Sequence, residues 1–229
     1  MRKQSLEINK IASILTDFDT KFGIPRQSGI VKELCGKIVF ERKYRSADAL
    51  RGIEGFSHLW LIWGFSENSY EKFMPTVRPP KLGGNKKMGV FATRSPFRPN
   101  GLGLSLVKIK GVYNDTELGT VIEVSGVDMV NGTPIYDIKP YLPYADVAEN
   151  ARAGFTDDID EFVLDVVFDE KTINILPIEK RQALIKILAQ DPRPSYIEDA
   201  ERIYGFGYAG YEIKFKVEGK KLILINIEE

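Results

Sequence analysis

The first 140 residues of this chain show almost no helical periodicity, and this restricts the fold more than any other feature of its 229 residues. Short apolar runs alternate there with Gly, Pro and Asn, a pattern typical of strands joined by turns and long loops. The predicted strands are residues 56–65, 88–93, 102–112 and 120–127, and a short helix is predicted at 47–51. The pattern favours a mainly β fold.

One of these runs, residues 56–65, is apolar on both of its alternating faces. One face carries Phe56, His58, Trp60 and Ile62, and the other carries Leu59, Leu61, Trp63 and Phe65. Successive side chains on a strand point to opposite faces, so we expect this strand to be covered on both sides. The same alternation predicts that Ser57 and His58 cannot meet as a nucleophile and its base.

The pattern changes after about residue 150. Residues 161–168 are predicted to form a strand, 178–190 an amphipathic helix, and 211–227 a hairpin that turns near 218–220. We therefore predict two domains, 1–150 and 151–229, with the boundary near residues 145–156 and with a small α+β fold in the second.

Charge is unevenly distributed along the chain, although 32 basic residues balance 32 acidic ones. Residues 72–114 contain no Asp or Glu, whereas 157–170 contain seven acidic residues and no basic one. Such asymmetry favours a face that binds a polyanion, and the alternative is a charged surface that is merely uneven.

The scarcity of cysteine and histidine excludes several classes of protein. One cysteine, Cys35, cannot form an internal disulfide, and together with one histidine it cannot supply an ordinary zinc site. The chain begins without the apolar stretch of a signal peptide and has no run long enough to cross a membrane. We expect a cytoplasmic protein that needs neither metal nor membrane.

Common nucleotide-binding and hydrolase motifs are also missing. The chain has no GxxxxGK[ST] loop and no GxSxG elbow. The glycines at 101 and 103 lie inside a strand-like run without the third glycine of a dinucleotide site, which argues against a Rossmann-type methyltransferase.

Four polar clusters remain as candidates for function. Residues 23–27 form a proline-fixed turn followed by Arg and Gln, and 89–100 place two arginines and an asparagine at the end of a strand that two prolines stiffen. Residues 128–134 form a turn with exposed backbone, and 137–144 carry two tyrosines that could stack on bases. Each cluster taken alone also fits a stiff loop, a capped strand, a plain turn or ordinary packing.

Taken together and in this order, the clusters resemble the tRNA N6-threonylcarbamoyladenosine methyltransferases, the TrmO or YaeB-like proteins. The matching segments are residues 23–32, 55–60, 77–85, 89–100, 132–143 and 188–196, so the resemblance covers almost the whole chain. It implies a homodimeric, non-Rossmann β-barrel that binds S-adenosylmethionine, methylates N6 of threonylcarbamoyladenosine beside the anticodon, and uses its C-terminal domain to hold tRNA.

The resemblance also assigns residues to the donor site, and this sequence departs from the family pattern in two places. The donor-site residues it implies are Pro25, Arg26, Gln27, His58, Leu59, Arg94, Leu104, Asn131, Gly132, Thr133 and Pro134. The family pattern has Asp where this chain has Asn131, and it has Asn-Pro-Ile-Gly where this chain has residues 100–103.

Methyl transfer to a delocalised nitrogen needs alignment and a base, and three side chains are candidates for that base. They are His58, Asp128 and Asp137, with His58 favoured as a shaping or hydrogen-bonding residue of the donor pocket rather than as the base. For tRNA contacts the candidates are Lys86, Lys87, Arg98, Arg193 and Tyr196. Two alternatives stay open: a non-catalytic barrel that binds RNA or an adenine nucleotide, and a methyltransferase with another acceptor.

Overall fold

A computed structural model describes residues 6–65, 73–79, 82, 86–157, 163–193 and 199–229. Six antiparallel strands form a closed barrel in the order β1-β2-β7-β6-β3-β8, with β8 pairing back onto β1. These strands are β1 Ala12–Leu15, β2 Cys35–Phe40, β3 His58–Gly64, β6 Leu102–Asp115, β7 Gly119–Ser125 and β8 Thr133–Pro140. A two-stranded ribbon, β4 Thr76–Val77 with β5 Met88–Gly89, lies in the long connection between β3 and β6.

The barrel interior is filled by alternate side chains from its strands, as the period of two requires. In β3, Leu59 and Leu61 are fully buried, whereas Trp60 and Ile62 on the other face are only half-buried. Burying a leucine side chain contributes about 1.5–3 kcal/mol. Ile14, Ile38 and Ile135 from three other strands complete the same apolar core.

A second sheet follows the barrel in the chain. Its order is β10-β11-β12-β9, with β9 Asp165–Val167, β10 Tyr204–Tyr208, β11 Tyr211–Glu218 and β12 Lys221–Glu228. The α-helices are α1 Pro143–Asp146, α2 Glu170–Ile173 and α3 Ile178–Ala189. The buried face of α3, which includes Leu184 and Leu188, belongs to one hydrophobic cluster with the interior of this sheet.

The two sheets are joined by the loop between β1 and β2, residues 16–34. Asp17 pairs with Lys180 of α3 at 2.6 Å and accepts the backbone N–H of Ala209 through its carbonyl. Phe18 contacts Tyr208 with ring centroids 5.4 Å apart. The second sheet therefore packs directly on a loop of the barrel.

The mainly β prediction is confirmed, and several boundaries are corrected. Residues 88–93 are not one strand, because only Met88–Gly89 pair and Val90–Ala92 turn into a 3₁₀ helix that the Thr93 hydroxyl closes on the Val90 carbonyl. The helix predicted at 47–51 is a 3₁₀ turn, Ala47–Leu50. Residues 56–65 are covered more fully on the Leu59 face than on the other.

The expectation that Ser57 and His58 cannot meet is wrong. Strand β3 begins at His58, so Ser57 is not held to strand geometry, and its Oγ lies 2.9 Å from Nδ1 of His58.

Among the residues that the structure describes, no helix is long and apolar enough to cross a membrane. No group of three or more His, Cys, Asp or Glu side chains there is arranged to hold a metal ion.

Candidate functional site

Three loops meet at one end of the barrel, which we call the site rim. They are residues 16–34 after β1, 65–101 after β3 and 126–132 after β7. The Gly29 N–H donates to Gly126 O, which links the first loop to the third, and the Phe65 N–H donates to Gly101 O, which joins the two ends of the second loop. Three of the four polar clusters that the sequence singled out therefore lie at the same end.

Beside the rim is an open depression of about 1300 Å³, which we call the wide cleft. Its lining residues are Arg26, Gln27, Met74, Thr76, Val77, Arg78, Pro79, Lys87, residues 91–97, Ala153, Phe155 and Thr156. Among these described residues four are cationic and none carries a carboxylate. The cleft therefore offers positive charge and exposed aromatic surface together.

A smaller cavity of about 400 Å³, the small chamber, opens from the same place. It is lined by Arg26, Gln27, Trp63, Phe65, Arg94, Pro96, Arg98, Leu102, Gly103, Leu104 and Asp128. Four of these residues, Arg26, Gln27, Arg94 and Pro96, also line the wide cleft, so the two spaces share a wall.

The shared wall is built by a hydrogen-bonded group from two loops. Arg94 Nη1 donates to Gln27 Oε1 at 2.6 Å, and Gln27 Nε2 donates to the carbonyl of Arg26. Because one Gln27 amide satisfies both partners, residues distant in sequence are held as one unit. The Arg26 and Arg94 guanidinium groups remain exposed toward an anionic ligand.

Asp128 places a carboxylate in the small chamber, and a buried chain of hydrogen bonds fixes it. Trp63 Nε1 donates to Ser105 Oγ at 2.9 Å, and Ser105 Oγ donates to Asp128 Oδ1 at 2.7 Å. The indole N–H can only donate, so the Ser105 hydroxyl must direct its own proton to Asp128.

Burial raises the pKa of Asp128 to about 6, although hydrogen bonds from Ser105 and from the Ser28 backbone, together with the charge of Arg94, oppose the rise. A carboxylate with a raised pKa is a stronger base than an exposed one and is still ionised near neutral pH. The chamber thus contains a side chain suited to accepting a proton.

The loop that carries Arg94 is stiffened by its own hydrogen bonds. Arg98 Nη1 donates to the carbonyls of Thr93 and Ser95 at 3.0 and 3.3 Å, and the Phe97 N–H donates to Ser95 Oγ. One nitrogen of the Arg98 guanidinium is therefore occupied by hydrogen bonds within the loop. Gly101 has a φ of +56°, a conformation that proline cannot adopt.

The loop that carries Arg26 and Gln27 is held from the other side by the second sheet. Gly23 has a φ of +89°, and a Cβ built on it would lie 2.4 Å from the Phe206 ring. Phe206 also contacts Phe22, with ring centroids 5.9 Å apart. Residues of β10 therefore help to set the path of the chain into Pro25, which is buried.

The structure gathers some of the residues predicted for the donor site and separates others. Arg26, Gln27, Arg94 and Leu104 line the chamber together with Asp128. The turn 131–134 lies at the same end of the barrel outside the lining, and its Asn131 Oδ1 accepts the Thr16 N–H at 3.2 Å.

His58, Leu59 and Asp137 do not line either space. His58 begins β3, five residues from Trp63, which corresponds to about 17 Å along a strand. The Leu59 side chain is fully buried in the barrel core. Asp137 is on the barrel wall, where it pairs with Lys139 at 2.9 Å.

Among the residues predicted for RNA contact, the exposed Lys86 and Lys87 lie directly before strand β5 of the ribbon, and Lys87 lines the wide cleft. Arg193 forms a two-point ion pair with Asp191, with both N–O distances 2.8 Å, and is mostly buried. Tyr196 lies outside the described residues. The exposed Tyr144 and the half-buried Tyr141 lie outside the linings of both spaces, and Tyr141 packs near His58.

Sequence reasoning missed Trp63, Ser105 and the aromatic residues of the wide cleft. The alternation of β6 places Ser105 on the same buried face as Val107, so a small polar side chain among inward-facing apolar ones was the available signal. Nothing in the local pattern shows that Trp63 donates to it from the neighbouring strand β3.

Comparisons with known families cover both parts of the chain. The family model of the tRNA-methyltransferase O N-terminal domain matches residues 13–147, and that of the TrmO C-terminal domain matches 163–229. A tRNA (adenine(37)-N6)-methyltransferase of Escherichia coli K12 is 39% identical over 221 residues, covering 93% of this chain and 94% of the relative. One from Eikenella corrodens is 43% identical over 172 residues, covering 75% and 96%.

Solved structures are similar over the full length. A crystal structure of TrmO superposes with a TM-score of 0.80 at 27% identity, covering 99% of this chain and 100% of the other. TrmO from Pseudomonas aeruginosa gives a TM-score of 0.78 at 28% identity, covering 99% and 100%.

Proposed function

The chain belongs to the tRNA-methyltransferase O family, and we propose that it methylates N6 of adenosine 37 of tRNA with S-adenosylmethionine, taking threonylcarbamoyladenosine as the acceptor. The observation that carries the proposal is the small chamber, where a partly buried carboxylate of raised pKa, three guanidinium groups and an aromatic wall converge. The chamber opens into a cleft lined by cations, as an RNA substrate requires.

The chamber residues suit the methyl donor. A volume of about 400 Å³ lies within the range of small-molecule sites. Trp63 and Phe65 offer flat apolar surface for an adenine, and Arg26 and Arg94 offer charge for an amino-acid carboxylate. When bound, S-adenosylmethionine supplies an electrophilic methyl group, and the reaction needs no metal and no covalent enzyme intermediate.

In the proposed mechanism, the acceptor nitrogen is a poor nucleophile because its lone pair is delocalised. The residues of the shared wall therefore have to hold the adenine edge in line with the chamber, and such alignment can contribute roughly 7–11 kcal/mol. Asp128 accepts the N6 proton. Ser105 and Trp63 keep the Asp128 carboxylate turned toward the chamber.

The rate should depend on the ionisation of Asp128. Since the base must be deprotonated, we expect kcat to fall about tenfold per pH unit below a midpoint near 6 and to level off above it. The Ser105 hydrogen bond lowers the pKa of Asp128, so Ser105→Ala should move the midpoint upward. Single-turnover rates between pH 5 and 9 measure both; an unshifted midpoint with a uniformly lower rate would show that Ser105 has only a structural role.

Phosphate contacts are proposed for the cations at the wide cleft. Replacing Lys86 and Lys87 by Ala should weaken tRNA binding and reduce the slope of log K against log salt by up to about 1.5, roughly 0.7–0.9 for each lost contact. Binding titrations at several salt concentrations measure the slope. Arg42 and Lys43, two exposed cations that are neighbours in sequence after β2, give a matched control when both are replaced by Ala. An unchanged slope in the Lys86/Lys87 variant contradicts this part of the proposal.

A homodimer is also proposed, following the family resemblance. His58 lies about 17 Å along β3 from Trp63, so a role for His58 at the donor site requires that a second copy bring it there. His58 and the turn 131–134 stay predicted donor residues outside the chamber of one chain, whereas the Leu59 side chain is fully buried in the barrel core. The molar mass in solution tests the dimer.

Mass spectrometry of nucleosides tests the reaction itself. Transfer RNA containing threonylcarbamoyladenosine, incubated with the protein and S-adenosylmethionine, should yield the N6-methylated nucleoside, and tRNA lacking the carbamoyl group should not. Methylation of a different nucleoside would support the alternative of another acceptor. Calorimetry with the donor distinguishes the remaining alternative, because a protein that only binds RNA should release no heat with it.

A further inference from the structure

Two phenylalanines of the wide cleft are unusually exposed. The Phe91 and Phe97 side chains are 72% and 52% exposed, and both line the cleft. Phe73 lies beside Phe91, with ring centroids 6.4 Å apart and an interplanar angle of 28°. Large aromatic rings left in water cost free energy, so their accumulation in one depression points to a ligand that covers them.

The loop that presents these rings is held by its own hydrogen bonds. Val90–Ala92 form a 3₁₀ turn that the Thr93 hydroxyl closes at 2.8 Å, and Arg98 bridges two carbonyls of the following residues. Rings on such a loop lose little entropy when they contact a ligand. Their exposure is a consequence of the loop's own hydrogen bonding.

The charge of the same cleft specifies the chemistry of the ligand. Arg26, Arg78, Lys87 and Arg94 lie among the lining residues, and none of the lining residues described carries a carboxylate. Flat aromatic faces combined with cations alone are the combination that binds unpaired nucleotides, with bases on the rings and phosphates at the cations. An acidic, apolar peptide is the competing ligand, but the cleft shares a wall with the chamber that holds Asp128.

We infer that Phe91 and Phe97 are stacking platforms for the unpaired nucleobases that flank the acceptor adenosine, and that Arg78 and Lys87 hold the intervening phosphates. This inference rests on the proposed function, since it takes RNA as the substrate. The inference separates two roles. The small chamber performs the chemistry, and the wide cleft selects an RNA loop whose bases are free to leave their own stack.

Phe91→Leu and Phe97→Leu test the inference because leucine keeps the apolar bulk and removes the aromatic face. We expect each to raise the Kd for an anticodon stem-loop RNA about tenfold, as loss of a stacked base does, and to leave the Kd for S-adenosylmethionine unchanged. Phe91→Trp and Phe97→Trp should restore RNA binding. Phe168→Leu, at an exposed phenylalanine outside the cleft, is the matched control.

Fluorescence anisotropy with the stem-loop and a methylation assay with whole tRNA are measured on the same variants. If both leucine variants bind RNA within twofold of the wild type, the stacking role is overturned while the proposed function stands. If the wild type binds the stem-loop, loses that binding with leucine and methylates nothing, the stacking role is supported and the proposed function fails. If the wild type binds an acidic peptide and no RNA, both are overturned.

Discussion

Replacing Asp128 by Asn should lower kcat for tRNA methylation roughly 10²- to 10⁴-fold, the range that general-base catalysis contributes. Asparagine has nearly the same size and can still accept the hydrogen bond that Ser105 donates at 2.7 Å. It cannot take a proton from the acceptor nitrogen. Single-turnover methylation at saturating tRNA and donor measures the effect on the chemical step.

The other carboxylate that the sequence proposed provides the comparison. Asp137 pairs with Lys139 on the barrel wall and lies outside both linings, so Asp137→Asn should change kcat less than threefold. Donor affinity, measured by calorimetry, should be similar in both variants. A loss of donor binding in Asp128→Asn, with little change in kcat at saturation, would show that Asp128 binds the donor rather than the proton.

Gly23→Ala should destabilise the protein by about 2–5 kcal/mol. The left-handed backbone conformation costs about 1–2 kcal/mol for alanine, and overpacking typically adds 1–3 kcal/mol. The second cost applies because the new methyl group would lie 2.4 Å from Phe206. Urea denaturation gives the free energy of unfolding, and the donor Kd should rise as well, because Gly23 leads directly into Pro25, Arg26 and Gln27.

Gly29→Ala separates the two costs. Gly29 lies in the same loop with a φ of +79°, but a Cβ there would meet nothing within 4 Å. It should therefore cost only the backbone contribution of about 1–2 kcal/mol. Equal destabilisation by the two alanines would mean that Phe206 does not constrain the loop, and a favourable coupling between Gly23→Ala and Phe206→Leu would support the contact.

The elements that the sequence predicted well have strong local patterns. Strand β6 is 14 residues long, and four of the seven residues of β7 are β-branched. Helix α3 and the β11–β12 hairpin lie within a residue or two of their predicted bounds. These patterns arise because one face of each element is apolar, and the folded structure buries that face. Local pattern and tertiary structure agree at these places.

The elements that were missed are stabilised by distant partners. Strand β10 reads Tyr-Gly-Phe-Gly-Tyr, and its two glycines disfavour a strand, but Tyr204, Phe206 and Tyr208 all bury against other elements. Strand β1 has only four residues and exists because β2 and β8 pair with it on both sides. Neither cause is visible in the neighbouring sequence.

The site was only partly predictable for a related reason. Three of the four polar clusters lie at the site rim, and Arg26, Gln27, Arg94 and Asp128 line one chamber. Whether a strand end belongs to the site rim depends on the pairing order of the barrel, which placed His58 at the opposite end. The Trp63–Ser105 contact depends on the register between β3 and β6 and could not be read from either strand alone.

Closure of the barrel has a consequence for how the chain is made. Strand β1 pairs with β8, with Ala12 opposite Ile135. More than a hundred further residues must therefore be synthesised before the second partner of β1 leaves the ribosome. At about 5–20 residues per second this delay is on the order of ten seconds. Until β8 is synthesised, β1 lacks one of its two partners, and an unpaired strand edge of this kind can pair with other chains.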